Sequence, residues 1–327
     1  TTNPIPHIEM GQDNAADIKA VPTGIDHGTV TLIVDDIPFE VTTFRRDVAT
    51  DGRHATVVYA DNMRDDARRR DFTMNALYAG PDGQVADPLG GLPDLQAGRV
   101  RFIENADLRI KEDYLRILRF FRFYAWYGDT DEGPDADGLA ACAENIEGLG
   151  SLSIERVTAE LLKLLAAPDP APAVAAMVST GALAQVLPGA DAGSLAVLVH
   201  MEGLESIAPD PLRRLAAIGG APAEHLRLSN GQARRLAQIT SGELPTTVAY
   251  KRGLSAGIDT LLVQSASLGQ PLPPLDALRH AANQTFPLKA ADLMPALSGP
   301  ALGQALKRAE ARWIASGFTM TKGDLLD

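Results

Sequence analysis

Glu112-Asp113-Tyr114-Leu115-Arg116-Ile117-Leu118-Arg119-Phe120-Phe121-Arg122 is the stretch on which the reading of this 327-residue chain turns. Residues three and four apart share a helix face, so helical spacing sets Glu112, Asp113, Arg116, Arg119 and Arg122 on one polar stripe. Tyr114, Leu115, Leu118 and Phe121 then supply much of an apolar face. A solvated amphipathic helix with intrahelical ion pairs, each worth about 0.2–0.5 kcal/mol, accounts for such a stripe without a ligand. A second reading starts from nucleobase chemistry. Cytosine and adenine both present an exocyclic amino donor beside a ring-nitrogen acceptor, whereas uracil and guanine present the opposite order. A carboxylate accepts from the amino group and a guanidinium donates to the ring nitrogen, so Asp113 with Arg116 suits C and A and rejects U and G. Arg119 and Arg122, one and two turns on, would lie where a triphosphate could sit.

Working outward, the stretch belongs to a basic island. Between Arg99 and Arg122 there are seven basic residues (Arg99, Arg101, Arg109, Lys111, Arg116, Arg119, Arg122) and four acidic ones (Glu104, Asp107, Glu112, Asp113). The whole chain is acidic, with 30 basic against 42 acidic residues and a net charge of −12, the wrong sign for a simple nucleic-acid binder. Charge alone is equally met by a solvated face with balancing ion pairs. The length predicts more than one domain. The longest uncharged apolar run, near Ser194 to Val199, is far too short to span a bilayer, and the N-terminal residues do not resemble a signal peptide. The single cysteine, Cys142, excludes an intramolecular disulfide and a thiolate zinc cluster, and predicts a reducing, cytoplasmic setting.

Toward the N-terminus, His27 to Arg45 alternates β-branched, aromatic and polar residues around Asp35-Asp36, which predicts a hairpin with strands at about Thr29–Val34 and Phe39–Phe44. Arg45 to Asn62 is polar, holds Asp51-Gly52 and has no apolar period, so a mobile loop is expected there. Asp65 to Tyr78 reads as a helix. From about Asp107 onward the spacing is helical and rich in Ala and Leu, punctuated at Gly148 to Gly150, Pro168 to Pro172, Pro188-Gly189 and Gly219 to Pro222. No repeat of fixed period is present. These patterns predict an α+β head followed by an all-α remainder.

Two further segments carry candidate chemistry. In Arg69-Arg70-Asp71-Phe72-Thr73-Met74-Asn75-Ala76, positive charge could meet phosphate while Asp71 or Asn75 hydrogen-bonds a ribose hydroxyl; an exposed helix N-terminus would show the same letters. Glu40 stands between Phe39 and Val41, where an acidic residue is ordinarily the solvent side of a strand and matters chemically only if it converges with other carboxylates on a metal.

Taken in order, these segments resemble the bacterial class II tRNA CCA-adding enzymes and poly(A) polymerases, members of the polymerase-β-like nucleotidyltransferases. The resemblance runs through Val21-Pro22-Thr23-Gly24, Phe39-Glu40-Val41-Thr42-Thr43-Phe44-Arg45, Arg69 to Ala76, Asp87-Pro88-Leu89-Gly90-Gly91-Leu92-Pro93-Asp94-Leu95, Glu112-Asp113 with Arg116, and Leu152-Ser153-Ile154-Glu155-Arg156. It covers roughly half the chain. What it implies is a polymerase-β-like nucleotidyltransferase head at 1–104, a helical neck with the base-reading helix at 105–167, and a helical body and tail for RNA binding at 168–327. It implies that Arg70 binds the triphosphate, that Asp71 lies in the ribose-sensing motif, and that Asp113 and Arg116 act as a protein template for the incoming base, with Asn75 and Glu112 counted among the nucleotide-binding residues. Arg119 and Arg122 fall on phosphate-contacting positions, Asp87 to Leu95 on a hinge-like element, and Arg45 to Asn62 on the loop that helps switch from C to A. The implied activity is untemplated addition of C and A to a tRNA 3′ end from CTP and ATP, with Mg²⁺ as cofactor, Asp17 and Glu40 as catalytic metal ligands, and tRNA as partner. Oligomeric state is not legible.

The family's head opens with a Gly-Gly-x-x-Arg-Asp turn and then an Asp-x-Asp metal pair, and neither is intact. Asp17-Ile18 matches the first two positions of Asp-x-Asp, and Lys19 follows where the second aspartate is expected. The intact later motifs favour a segment missing from this chain over a degenerate protein. The rival readings are a poly(A) polymerase, which shares the motifs and adds only A, and a non-catalytic RNA-binding relative without the metal site. The six histidines show no His-Asp phosphohydrolase pattern, which argues against an appended hydrolase.

Overall fold

The computed structural model describes residues 19–24, 29–51, 54–60, 62–294 and 296–326. The chain divides into two compact units, Thr1–Leu152 and Ser153–Asp327.

The first unit begins with an antiparallel sheet of β1 (Lys19–Gly24), β2 (Thr29–Val34) and β3 (Ile37–Thr42), in that order. Asp35 and Asp36 join β2 to β3 with φ of 49° and 61°. Two consecutive left-handed residues make the tight turn whose twist matches paired strands, and Asp tolerates that conformation better than most residues. Because the turn takes only two residues, Val34 pairs with Ile37 and β3 starts two residues earlier than the expected Phe39. The stretch expected as a loop is a second hairpin, β4 (Arg45–Asp51) paired with β5 (His54–Tyr59). β4 carries charged or polar residues at five of its seven positions, so a hydrophobicity reading shows no strand period there.

The expected helix from Asp65 to Tyr78 is much shorter. α1 spans Met63–Arg68, capped by the Asn62 side chain accepting from the Asp65 amide at 2.9 Å. A 3₁₀ turn at Thr73–Asn75 follows, and Tyr78–Ala79 (β6) pairs with Val85–Ala86 (β7). Helical hydrogen bonding is displaced here by Asp71, whose Oδ1 accepts the Phe72 amide at 3.0 Å, and by a bridge between Phe72 and Phe102.

The quoted stretch is likewise two helices, not one. α2 (Leu92–Gln96) leads to α3 (Ala106–Glu112), which ends at Asp113 with an extended backbone, φ −157°. The Asp113 carboxylate accepts the Leu115 amide at 3.1 Å where α4 (Leu115–Tyr127) begins. The continuous polar stripe is therefore interrupted between Glu112 and Leu115, because an aspartate that satisfies a helix-start amide competes with continuation of the preceding helix. α4 buries Leu115, Ile117, Leu118, Phe120, Phe121, Phe123 and Tyr124. Phe72, Phe102, Phe120 and Phe123 form an aromatic core, with ring centroids 4.9 Å apart for Phe72–Phe102 and 5.5 Å for the stacked Phe102–Phe120 pair. α5 (Ala136–Glu144) packs on α3, with Asn145 donating to Asp107 at 2.9 Å.

Apart from an isolated bridge between Ala190 and Gly219, the described secondary structure of the second unit is helical, and it begins with α6 (Ile154–Leu165). Its centre holds buried charge: Glu202, Arg213, Arg214 and Asp259 are each at most 4% exposed. Arg213 pairs with Glu202 and Asp259 at 2.7 and 2.9 Å, while Arg214 pairs with Glu202 at 2.8 Å and donates to the carbonyls of Leu165 and Pro168 at 2.7 and 3.0 Å. Arg214 thus closes the C-terminal end of α6, whose last carbonyls have no intrahelical donor.

Candidate nucleotide-binding site

Two segments nearly fifty positions apart converge on one arginine-rich cluster within the first unit. From the first, Asp71 is 4% exposed and accepts from Asn75 Nδ2 at 2.9 Å and from Arg119 Nε at 2.5 Å. Burial pushes the Asp71 carboxyl up, but the Arg119 charge and hydrogen bond, with those from Asn75 and the Phe72 amide, hold it below the usual carboxylate range. Arg70 lies over the Tyr78 ring at 5.1 Å, pairs with Asp66 at 3.2 Å and reaches the Asn75 carbonyl at 3.4 Å. From the second segment, Arg116 Nη1 donates to the Arg109 carbonyl at 2.7 Å and to Glu112, and Nη2 donates to the Arg69 carbonyl at 3.1 Å. Glu112 also pairs with Arg109 at 3.1 Å. Arg119 and Arg122 both stand over the Phe123 ring, at 5.4 and 4.6 Å.

These contacts bring together Arg70, Asp71, Asn75, Glu112, Arg116 and Arg119, with Asp113 at the joint between α3 and α4. Three of the five guanidinium hydrogens of Arg116 are committed to its neighbours, which fixes its plane and leaves two for another acceptor. Arg70 and Arg119 keep 33% and 28% of their side chains exposed, so each presents part of its fork to solvent or ligand. An array of this kind suits a polyanion, since planar guanidinium edges match phosphate oxygens.

Of the two expected metal ligands, only Glu40 is among the described residues. Glu40 is exposed on β3 opposite Thr31, and Asp17 lies outside the described residues. Among the described residues no group of three His, Cys, Asp or Glu could hold a metal ion.

The sequence reading missed three contributors. Asp66, 2% exposed, accepts from Tyr78 Oη at 2.7 Å and from Arg69 Nε at 2.9 Å, and Tyr78 supplies the ring beneath Arg70. Their spacing was available, since Asp66 stands three and four residues before Arg69 and Arg70. Asp94 is the third. It binds Thr73 Oγ1 at 2.6 Å and Arg101 at 2.8 Å, tying Asp87 to Leu95 against the Arg69 to Ala76 motif. Gly91 is required there by close approach, as a Cβ would stand 2.0 Å from the Thr73 carbonyl oxygen.

Residues 7–101 match the poly A polymerase head domain, and residues 135–193 match the family described as the probable RNA and SrmB-binding site of polymerase A. The human mitochondrial CCA tRNA nucleotidyltransferase 1 is 45% identical over 166 residues, which are 50% of this chain and only 38% of that protein. The fold is that of the Bacillus stearothermophilus CCA-adding enzyme solved in complex with CTP, with a TM-score of 0.68 and 24% identity over 91% of this chain and 80% of that one. The zebrafish (Danio rerio) mitochondrial CCA tRNA nucleotidyltransferase 1 is 33% identical over 93% of this chain and 75% of its own length, and the chain therefore belongs to the CCA tRNA nucleotidyltransferase family.

Proposed function

We propose that this chain adds C and A nucleotides, without a nucleic-acid template, to the 3′ end of tRNA, using CTP and ATP and releasing pyrophosphate. The observation that carries the reading is the joining of the two motifs, Asp71 to Arg119 and the Arg69 carbonyl to Arg116, into one arginine cluster beside Asp113. In this reading Arg70, Arg119 and Arg122 hold the triphosphate, and Asn75 meets a ribose hydroxyl while Asp71 orients Asn75 and Arg119. Asp113 accepts from the exocyclic amino group of C or A and Arg116 donates to the ring nitrogen, with Glu112 locking the Arg116 plane. The matching relatives are named for CCA addition to tRNA, and the Bacillus structure holds CTP. The division into head 1–104, neck 105–167, and body and tail 168–327 accompanies the reading. So does a cytoplasmic setting, which the one buried cysteine, Cys142, fits.

Nucleotidyltransferases of this kind generally use a divalent metal, here expected as Mg²⁺ on Asp17 and Glu40. Among the described residues no three His, Cys, Asp or Glu side chains gather to hold such a group, and Asp17 lies outside them. A second reading, a non-catalytic RNA-binding relative, starts from Lys19 standing where the second metal aspartate is expected, against which the intact later motifs favour a missing segment. Incubating a tRNA lacking its CCA end with CTP, ATP and Mg²⁺ tests the proposal. A product three nucleotides longer that grows no further supports it, a long A tail indicates a poly(A) polymerase, and tRNA binding without extension indicates the non-catalytic relative.

A further inference from the structure

Asp66 lies in α1 with 2% exposure, and each of its hydrogen bonds leads to a different part of the cluster. Arg69 Nε donates to it at 2.9 Å, and the Arg69 carbonyl in turn receives Arg116 at 3.1 Å. Arg70 donates at 3.2 Å, and Tyr78 Oη at 2.7 Å. The Tyr78 ring lies under Arg70 and meets Phe44 edge-on at 6.0 Å, while the amide of Arg45, where β4 begins, donates to Asp66 at 3.2 Å. One buried carboxylate therefore ties the base of the β4–β5 hairpin, the Arg69–Arg70 pair and, through one carbonyl, Arg116.

We propose that Asp66 is a positioning residue, which holds Arg70 for the triphosphate and Arg116 for the base in the geometry they need before a nucleotide arrives. The inference rests on reading this cluster as the nucleotide site. An arginine left on its flexible stem must lose rotamer freedom when it binds, and one already held by a buried carboxylate has lost it beforehand. Burial pushes the Asp66 carboxyl up, yet hydrogen bonds from Tyr78 and Arg69 and the Arg69 charge hold it below the usual carboxylate range, so it meets the arginines as an anion.

Asp66→Asn keeps shape and, with its amide oxygen in the Oδ1 place, still accepts from the Arg45 amide while its NH2 donates to Tyr78 Oη, but it loses the bond to Arg70 and the charge that strengthens the bond to Arg69. CTP binding to the full chain is measured by calorimetry, and single-nucleotide incorporation gives KM and kcat, alongside the thermal midpoint. Weakening of charge-assisted contacts predicts a rise of about tenfold in Kd for CTP and in KM, with kcat changed by less than about threefold. In an Arg70→Ala background the same substitution should add clearly less than in the wild type, because only the indirect route through Arg69 to Arg116 remains. A purely structural aspartate would lower the midpoint and the active fraction while leaving Kd and KM within about twofold of wild type, and that result overturns the proposal. So does a full effect that persists without Arg70. A wild type that binds CTP but incorporates none removes the enzymatic reading while the binding comparison still decides Asp66; a wild type that binds no CTP overturns both.

Discussion

At the scale of single residues, the account turns on Arg116 and on the buried carboxylates that hold the cluster. Glu112 and two carbonyls engage both terminal nitrogens of Arg116, which fixes the plane of its guanidinium. Arg116→Ala should leave triphosphate contacts intact and cost about 1–3 kcal/mol of discrimination against UTP and GTP, by analogy with a bidentate contact to a base edge. Relative kcat/KM values for the four nucleotides would show this as a loss of roughly one to two powers of ten in selectivity. A destabilised variant with wild-type selectivity would show that the Glu112–Arg116 pair is structural only. Asp66 and Asp71 make a second expectation, in acid. Both have folded-state pKa values held below the ordinary value, so their contribution to stability is complete above about pH 4 and is lost as pH falls through the lowered values. The urea midpoint should therefore fall below about pH 4. Asp71→Asn should flatten part of that acid limb, and an unchanged limb would mean that Asp71 is not paired in solution.

At the scale of elements, the second unit offers the sharpest test. Arg214 is 1% exposed and both balances Glu202 and closes the C-terminal end of α6. Glu202 keeps Arg213, but Arg214→Ala leaves Glu202 Oε2 and the Leu165 and Pro168 carbonyls without their donor, so unfolding stability should fall by about 1–3 kcal/mol in urea titration. A loss under about 1 kcal/mol would mean that water reaches Glu202 once the guanidinium is gone. The elements also show what the sequence could reveal. The β2–β3 hairpin was readable because Asp35-Asp36 sits between alternating runs, and the buried face of α4 because Leu115, Leu118 and Phe121 recur at helical spacing. The β4–β5 hairpin was hidden, since neither of its faces is consistently apolar. The break at Asp113 was hidden for another reason: its cause is a hydrogen bond from its carboxylate to the Leu115 amide, and an aspartate in mid-helix carries the same letter. The candidate site was legible as separate strings, yet the contacts that join them, Asp71 to Arg119 and Arg69 to Arg116, span 48 and 47 positions and follow from tertiary packing alone.

At the scale of the whole molecule, a net charge of −12 argues against RNA binding, and the local distribution argues for it. Part of the basic island is neutralised internally, as Arg101 pairs with Asp94 and Lys111 with Asp107. Half of the Arg99 and Arg101 side chains nonetheless remain exposed. Binding of tRNA should therefore weaken by more than about tenfold between about 50 and about 200 mM salt, through release of counterions from several phosphates. A flat salt dependence would place the RNA elsewhere. The central claim is that one protein site chooses C and A, and single-nucleotide incorporation tests it most directly. CTP, ATP, UTP and GTP are supplied separately, with Mg²⁺, to a tRNA lacking its CCA end and to one ending in CC. The account predicts strong incorporation of CTP on the first, of ATP on the second, and of UTP and GTP on neither. Incorporation of ATP alone on both, or equal use of all four nucleotides, would contradict it.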